Sequence, residues 1–146
     1  MVDEERVTRL ASDVRRDVAR LRQLEETEHL VAQADQLDAV KYRFLTAIEG
    51  CISIAHHITA AEGWAAPDSN ADAIRSLGKQ GVISTDLAEV MARAAGFRNL
   101  LAHRYQTIDD DAVVGFLDHL DQLEQFVGGV LAWLESAGGS GSDRPK

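Results

Sequence analysis

The sequence predicts an all-α fold, and three observations carry that prediction. Only Pro67 and Pro145 interrupt the 146 residues. The long stretches between them are rich in Ala, Leu, Glu, Arg and Gln, which are good helix formers. Apolar residues recur at steps of three and four, the spacing of one helix face. The expected architecture is an up-and-down bundle of about five helices over residues 1–137, with a disordered tail or expression remnant at 138–146, where the sequence has no apolar residue to bury.

In the first stretch, Val7, Leu10, Val14, Val18, Leu21 and Leu24 fall on one stripe. Asp13 with Arg16 and Asp17 with Arg20 are three apart, so both pairs read as a solvated, ion-paired face. A second helix spans about Asp35 to Glu62, with Leu37, Val40, Phe44, Leu45, Ile48, Ile52, Ala55 and Ile58 at helical spacing, and Gly63-Trp64 and Pro67 end it. Ser69 can cap a short third helix, Asn70 to Lys79, with Asp72 near its positive end. Gly81 supplies a left-handed stop, and Ser84 starts a fourth helix through Leu87, Val90, Met91, Ala94 and Phe97. Asp109-Asp110-Asp111 suits the N-terminus of a last helix running through Val113, Leu117, Leu120, Leu123, Val127, Val130 and Leu134. Gly128-Gly129 inside it costs about 1 kcal/mol per glycine relative to alanine, and close helix approach is one reason to keep them.

Fifteen Lys and Arg face 24 Asp and Glu, a formal net charge of -9. Such acidity argues against a general DNA-coating protein, whose affinity comes from surplus Lys and Arg on phosphates. A chain of this length hides roughly 70% of its unfolded surface without help from a metal or disulfide. Cys51 is the lone cysteine, and with no leader-like N-terminus the expected location is a reducing cytoplasm. No uncharged run approaches the ~18 residues of a membrane helix, so no membrane association is expected. Phosphate-loop and zinc signatures are absent, and neither metal nor cofactor is expected.

The charge inverts in one place. Between Glu89 and Asp109, nineteen residues carry no carboxylate but include Arg93, Arg98, His103 and Arg104. At the chain's own frequency about three acids belong there. A positive island of this kind can grip a nucleic-acid backbone locally, with Arg93 and Arg104 as candidate RNA contacts. The plainer alternative is a helix C-terminus that prefers cations. Spacing bears on the choice: residues 98 to 105 read Arg-Asn-Leu-Leu-Ala-His-Arg-Tyr. An Arg-x4-His pair arises by chance about 0.4 times in this composition, and the extension to Tyr105 about 0.005 times.

The Arg98-x4-His103-x-Tyr105 triplet resembles the signature of the HepT-like toxins, small helical RNases of the HEPN superfamily. The resemblance extends to Ala47-Ile48-Glu49 through His56-His57, the Glu62-Gly63 turn, the Pro67 loop, Gly81-Val82-Ile83 and Ala95 through Leu100. It covers most of residues 5 to 135. It implies a HEPN-like bundle acting as the ribonuclease toxin of a type VII-like toxin-antitoxin pair, with RNA as substrate and tRNA one candidate. It further implies Arg98 and His103 as catalytic residues of metal-independent cleavage, Asn99 in support, and Tyr105 as the residue that a minimal nucleotidyltransferase antitoxin modifies with AMP.

The chemistry is sound on its own terms. Histidine can move protons near neutrality, and arginine stays charged and neutralises a crowded phosphate. In an ideal helix, however, Arg98 and His103 lie about 140° apart around the axis and about 7.5 Å along it. Either the helix loosens beyond Leu101, or the groups meet in a cleft between two-fold-related copies. The family's habit of dimerising along its motifs favours a homodimer. For Tyr105 the bland alternative is a packed tyrosine with its hydroxyl on a backbone group. Two rivals to the toxin remain: a non-catalytic binding subunit of a minimal nucleotidyltransferase, and a plain helical scaffold.

Other residues read as structural. His56 and His57, about 100° apart, cannot chelate one ion in regular geometry, and one is expected to face the core and the other water. Cys51 reads as a buried, inert thiol. His29 and His119 read as surface residues. Trp64 and Trp133 read as packing, with base stacking by Trp64 the sharper alternative.

Overall fold

Asp3 caps the first helix, its carboxylate accepting from the Arg6 N–H at 3.0 Å, and α1 runs over Glu4–Glu25. His29, at a left-handed φ of 52°, turns the chain into a 3-10 turn at Leu30–Ala32 that anchors buried Leu30. Then come α2, Ala34–Ala61, and α3, Asn70–Lys79. Ser69 accepts from the Asp72 N–H at 3.1 Å, as its position predicts. Gly81 takes φ +78°, and Ser84 caps α4, Thr85–His103, by accepting from the Leu87 N–H. This computed structural model describes residues 1–143, with side chains through Ala137. The tail expected at 138–146 therefore lies outside the fully described residues, although the backbone is helical to Asp143.

The last expected helix is broken. After α5, Asp110–Gly115, a 3-10 turn at Phe116–His119 leads into α6, Leu120–Asp143. At the break Phe116 stacks on Phe97, ring centroids 4.2 Å apart, and meets Phe44 edge-on at 5.3 Å. These aromatic contacts tie the break to α4 and α2.

Helix α2 is the centre of the bundle. Val40, Phe44, Ala47, Ile48, Cys51, Ile54, Ala55 and Ile58 are all fully buried along it. Among the described residues α2 is the one helix long and apolar enough to span a bilayer by length and composition, and half of that apolar window is buried inside the fold. α1 runs antiparallel to it, since the Met1 ammonium donates to the Ala61 carbonyl while Arg43 pairs with Asp17. α4 also runs antiparallel to α2, with Glu49 beside Arg98 and Asp38 beside Tyr105. The ion pairs of Arg22 with Asp121 and Glu124 join the end of α1 to the start of α6.

Two expectations need correction. Asp13 and Arg16 do form an exposed pair at 3.2 Å, but Asp17 is buried. It takes Arg43 at 2.9 Å and the Thr46 hydroxyl at 2.6 Å from α2, while Arg20 turns to Gln23. A carboxylate against the core requires such partners. Nor do His56 and His57 divide between core and water. Both are half-buried; His57 accepts the Asp3 N–H at 2.9 Å, and His56 bonds Asn70 at 2.8 Å. Each ring ties α2 to a different neighbour. Of the paired glycines, a Cβ on Gly129 would lie 3.1 Å from Ile83 Cγ2, a close approach, whereas Gly128 meets nothing within 4 Å.

Candidate active site

The motif occupies the last turn of α4 and the loop beyond it. Arg98 looks inward to α2, with only 24% of its side chain exposed. Its Nε forms an ion pair with Glu49 Oε1, and its Nη1 donates to Asn99 Oδ1 at 3.0 Å. A guanidinium has five N–H donors in a rigid fork, so two fixed contacts orient it and leave the Nη2 edge for a ligand. Glu49 was not singled out for this role from the sequence. The usable signal was a charged residue inside an apolar core helix, which must find a partner. Lys41, Arg43 and Glu49 are the three charged residues between Ala39 and Ala61, and each is paired with a different helix, α5, α1 and α4 respectively.

His103 is the final residue of α4 and is exposed. The helix does not loosen beyond Leu101: it stays regular through His103, and the Arg104 N–H still bonds the Leu100 carbonyl at 2.8 Å. Arg98 and His103 therefore point to different sides of the same helix, about 140° apart, and one chain does not bring them together. Arg93, Asn99 and Arg104 are exposed on α4 and at its C-cap. Arg104 borders a shallow cavity of about 320 Å³ with Leu100 and Thr107. Two further clefts lie along α1 and between the α3–α4 turn and α6, and none of these three includes Arg98 or His103.

Tyr105 is half-buried beside α2. Its hydroxyl donates to the Asp38 carbonyl at 3.3 Å, and the Lys41 ammonium stands 5.1 Å from the centre of its ring. Lys41 also donates to the Tyr105 carbonyl at 3.5 Å and pairs with Asp110 at 2.9 Å. Burial, and after it the Asp38 carboxylate, push the Tyr105 phenol above its ordinary value, while Lys41 pulls the other way. The hydroxyl-to-backbone bond of the bland reading is thus present, on a ring that still meets solvent.

Elsewhere, Cys51 is buried, and burial pushes its thiol well up. Trp64 and Trp133 pack against each other with centroids 6.3 Å apart, both partly buried on the core. Among the described residues no three His, Cys, Asp or Glu side chains cluster as a metal site.

Comparison with known proteins bears on the family and the fold. The family model described as Ribonuclease HepT-like matches residues 11–130. The mRNA nuclease HepT of Shewanella oneidensis is 32% identical over 91 residues, 62% of this chain and 68% of that protein. Among solved structures, the tri-AMPylated Shewanella oneidensis HEPN toxin in complex with MNT antitoxin superposes with a TM-score of 0.81 at 26% identity, covering 90% of this chain and 99% of that one. YutE of Bacillus subtilis, a cytosolic protein of unknown function, shares the fold with a TM-score of 0.82 at 15% identity, over 93% of each chain.

Proposed function

Because the chain belongs to the ribonuclease HepT-like family, we propose that it is the ribonuclease toxin of a toxin-antitoxin pair, cutting RNA without a metal in a cleft shared by two copies. The observation that carries this reading is the presence, on one regular helix, of an Arg98 oriented by Glu49 and Asn99 and of an exposed His103. Cleavage needs a proton removed from the 2′-hydroxyl, charge stabilised on the phosphate, and a proton delivered to the departing oxygen. His103 moves protons and Arg98 holds the phosphate, with Asn99 fixing the guanidinium. Arg93 and Arg104 extend the positive edge along the RNA backbone. Since one chain sets the two groups apart, the second copy supplies the missing partner.

Tyr105 is the control point in this reading. A minimal nucleotidyltransferase antitoxin attaches AMP to its hydroxyl, and the added anion repels incoming phosphate. The pair works in the cytoplasm, where its RNA and ATP are found. The rival reading, a non-catalytic binding subunit, draws support from the net charge of -9 and from Glu49, whose carboxylate offsets Arg98.

Expression of the wild type and of His103→Ala separates the two. The toxin reading expects slowed growth and fragmented RNA with the wild type alone, and undiminished cleavage by the purified chain in excess EDTA. Equal growth and equal RNA integrity for both chains would remove the enzyme.

A further inference from the structure

Lys41 is the most deeply buried cation placed near the motif, with 8% of its side chain exposed, and the cleavage chemistry makes no use of it. Its three contacts all concern the segment that follows α4. The ammonium pairs with Asp110 at the start of α5, donates to the Tyr105 carbonyl, and stands 5.1 Å from the centre of the Tyr105 ring. On the other side the Tyr105 hydroxyl donates its proton to the Asp38 carbonyl, one turn before Lys41 on α2. Lys41 therefore meets both the ring and the main chain of Tyr105 while the Asp38 carbonyl holds its hydroxyl, which is far more restraint than a surface tyrosine needs.

We propose that Lys41 is a positioning residue for nucleotidyl transfer to Tyr105: it fixes the ring and, by its charge over the ring, favours the phenolate that attacks. This rests on the reading of Tyr105 as the modified residue. The reaction balances with two co-reactants, a nucleoside triphosphate and the nucleotidyltransferase that binds it. Tyr105 Oη attacks the α-phosphorus, and the Oη–P bond forms. The bond from the α-phosphorus to the bridging oxygen breaks, and pyrophosphate leaves with that electron pair. The phenolic proton passes to a base on the transferase or to water. As the proton leaves, negative charge spreads over the ring, so a cation at this distance attracts the attacking form more than the resting one. The charged groups around Tyr105 from the packed elements are Asp38 and Lys41 on α2, with Asp110 on α5 paired to Lys41; of these, Asp38 opposes ionisation. Lys41 is the favourable member of the set, consistent with the direction in which it moves the phenol.

Two measurements test this on the full chain. In the first, the isolated protein is titrated in the ultraviolet against Tyr105→Phe, so that the difference isolates the Tyr105 phenolate. Lys41→Gln, which keeps hydrogen-bonding capacity but loses the charge, is expected to raise the ionisation midpoint by about one pH unit, and Lys41→Arg to leave it near the wild-type position. In the second, AMP addition is followed by intact-protein mass spectrometry with the cognate transferase and ATP over about pH 7 to 10. Lys41→Gln is expected to slow transfer about tenfold at neutral pH and to displace the rising limb to higher pH, while Lys41→Arg recovers both. If Lys41→Gln does not fold, Lys41→Met carries the same expectation. An unchanged midpoint and profile, or a uniform fall at every pH without rescue by arginine, would overturn the inference. A wild-type chain that takes no AMP at Tyr105 would instead sink the modification reading, an outcome that the first measurement does not depend on.

Discussion

Glu49 sits where a carboxylate opposes RNA affinity and improves orientation. It repels a bound phosphate, yet it fixes Arg98 Nε. Replacing it with glutamine removes the repulsion and loosens the guanidinium. Glu49→Gln is therefore expected to lower turnover on a fluorogenic RNA roughly tenfold or more, with KM unchanged or lower, and steady-state kinetics read the split. A parallel fall in binding would show instead that Glu49 merely holds the fold. At Cys51 the expectation runs the other way. With its thiol buried and pushed up first by desolvation and then by Asp17, thiolate stays scarce even near pH 8.5, where a free cysteine is about half ionised. A disulfide reagent should label it only after denaturant is added. At this scale the sequence showed the residue types of the motif but not their partners. Arg98, His103 and Tyr105 stand out by spacing, whereas Glu49, Lys41 and Asp38 acquire meaning only when α2 is laid antiparallel to α4.

The helices themselves were largely legible, because their apolar period and their caps are local properties. Ser69 and Ser84 cap where their helices were expected to start, Asp109 of the acidic run expected at a helix N-terminus caps α5, and Gly81 stops where φ must be positive. What was not legible depended on tertiary contact. The break before α6 comes with the stacking of Phe116 on Phe97, and Asp17 leaves its own helix face for Arg43 and Thr46. Helix packing also sets opposite signs on two glycines. A Cβ on Gly78 would lie 2.7 Å from Ala88 Cβ, with the Thr85 Cα at 3.5 Å, so α3 and α4 would have to part. Overpacking of about 1–3 kcal/mol then exceeds the helix-propensity gain of about 1 kcal/mol, and Gly78→Ala should lower the urea midpoint. Gly128→Ala meets open space and should raise stability by up to about 1 kcal/mol.

For the molecule as a whole, the proposed shared cleft makes stoichiometry the decisive quantity. Light scattering on a size-exclusion column should show a dimer at the concentrations where RNA is cut, and a strict monomer that still cuts would defeat the cleft. Its charge of -9 makes long-range attraction of RNA weak, so cleavage should depend on salt through the few local arginines rather than through the whole surface. The regularity of α4 up to His103 reaches into genetics as well. If each working centre draws its guanidinium from one subunit and its imidazole from the other, an allele lacking Arg98 and an allele lacking His103 would each be harmless alone. Expressed together, their mixed assemblies would restore one intact centre, and the cell carrying both would sicken where neither parent strain does.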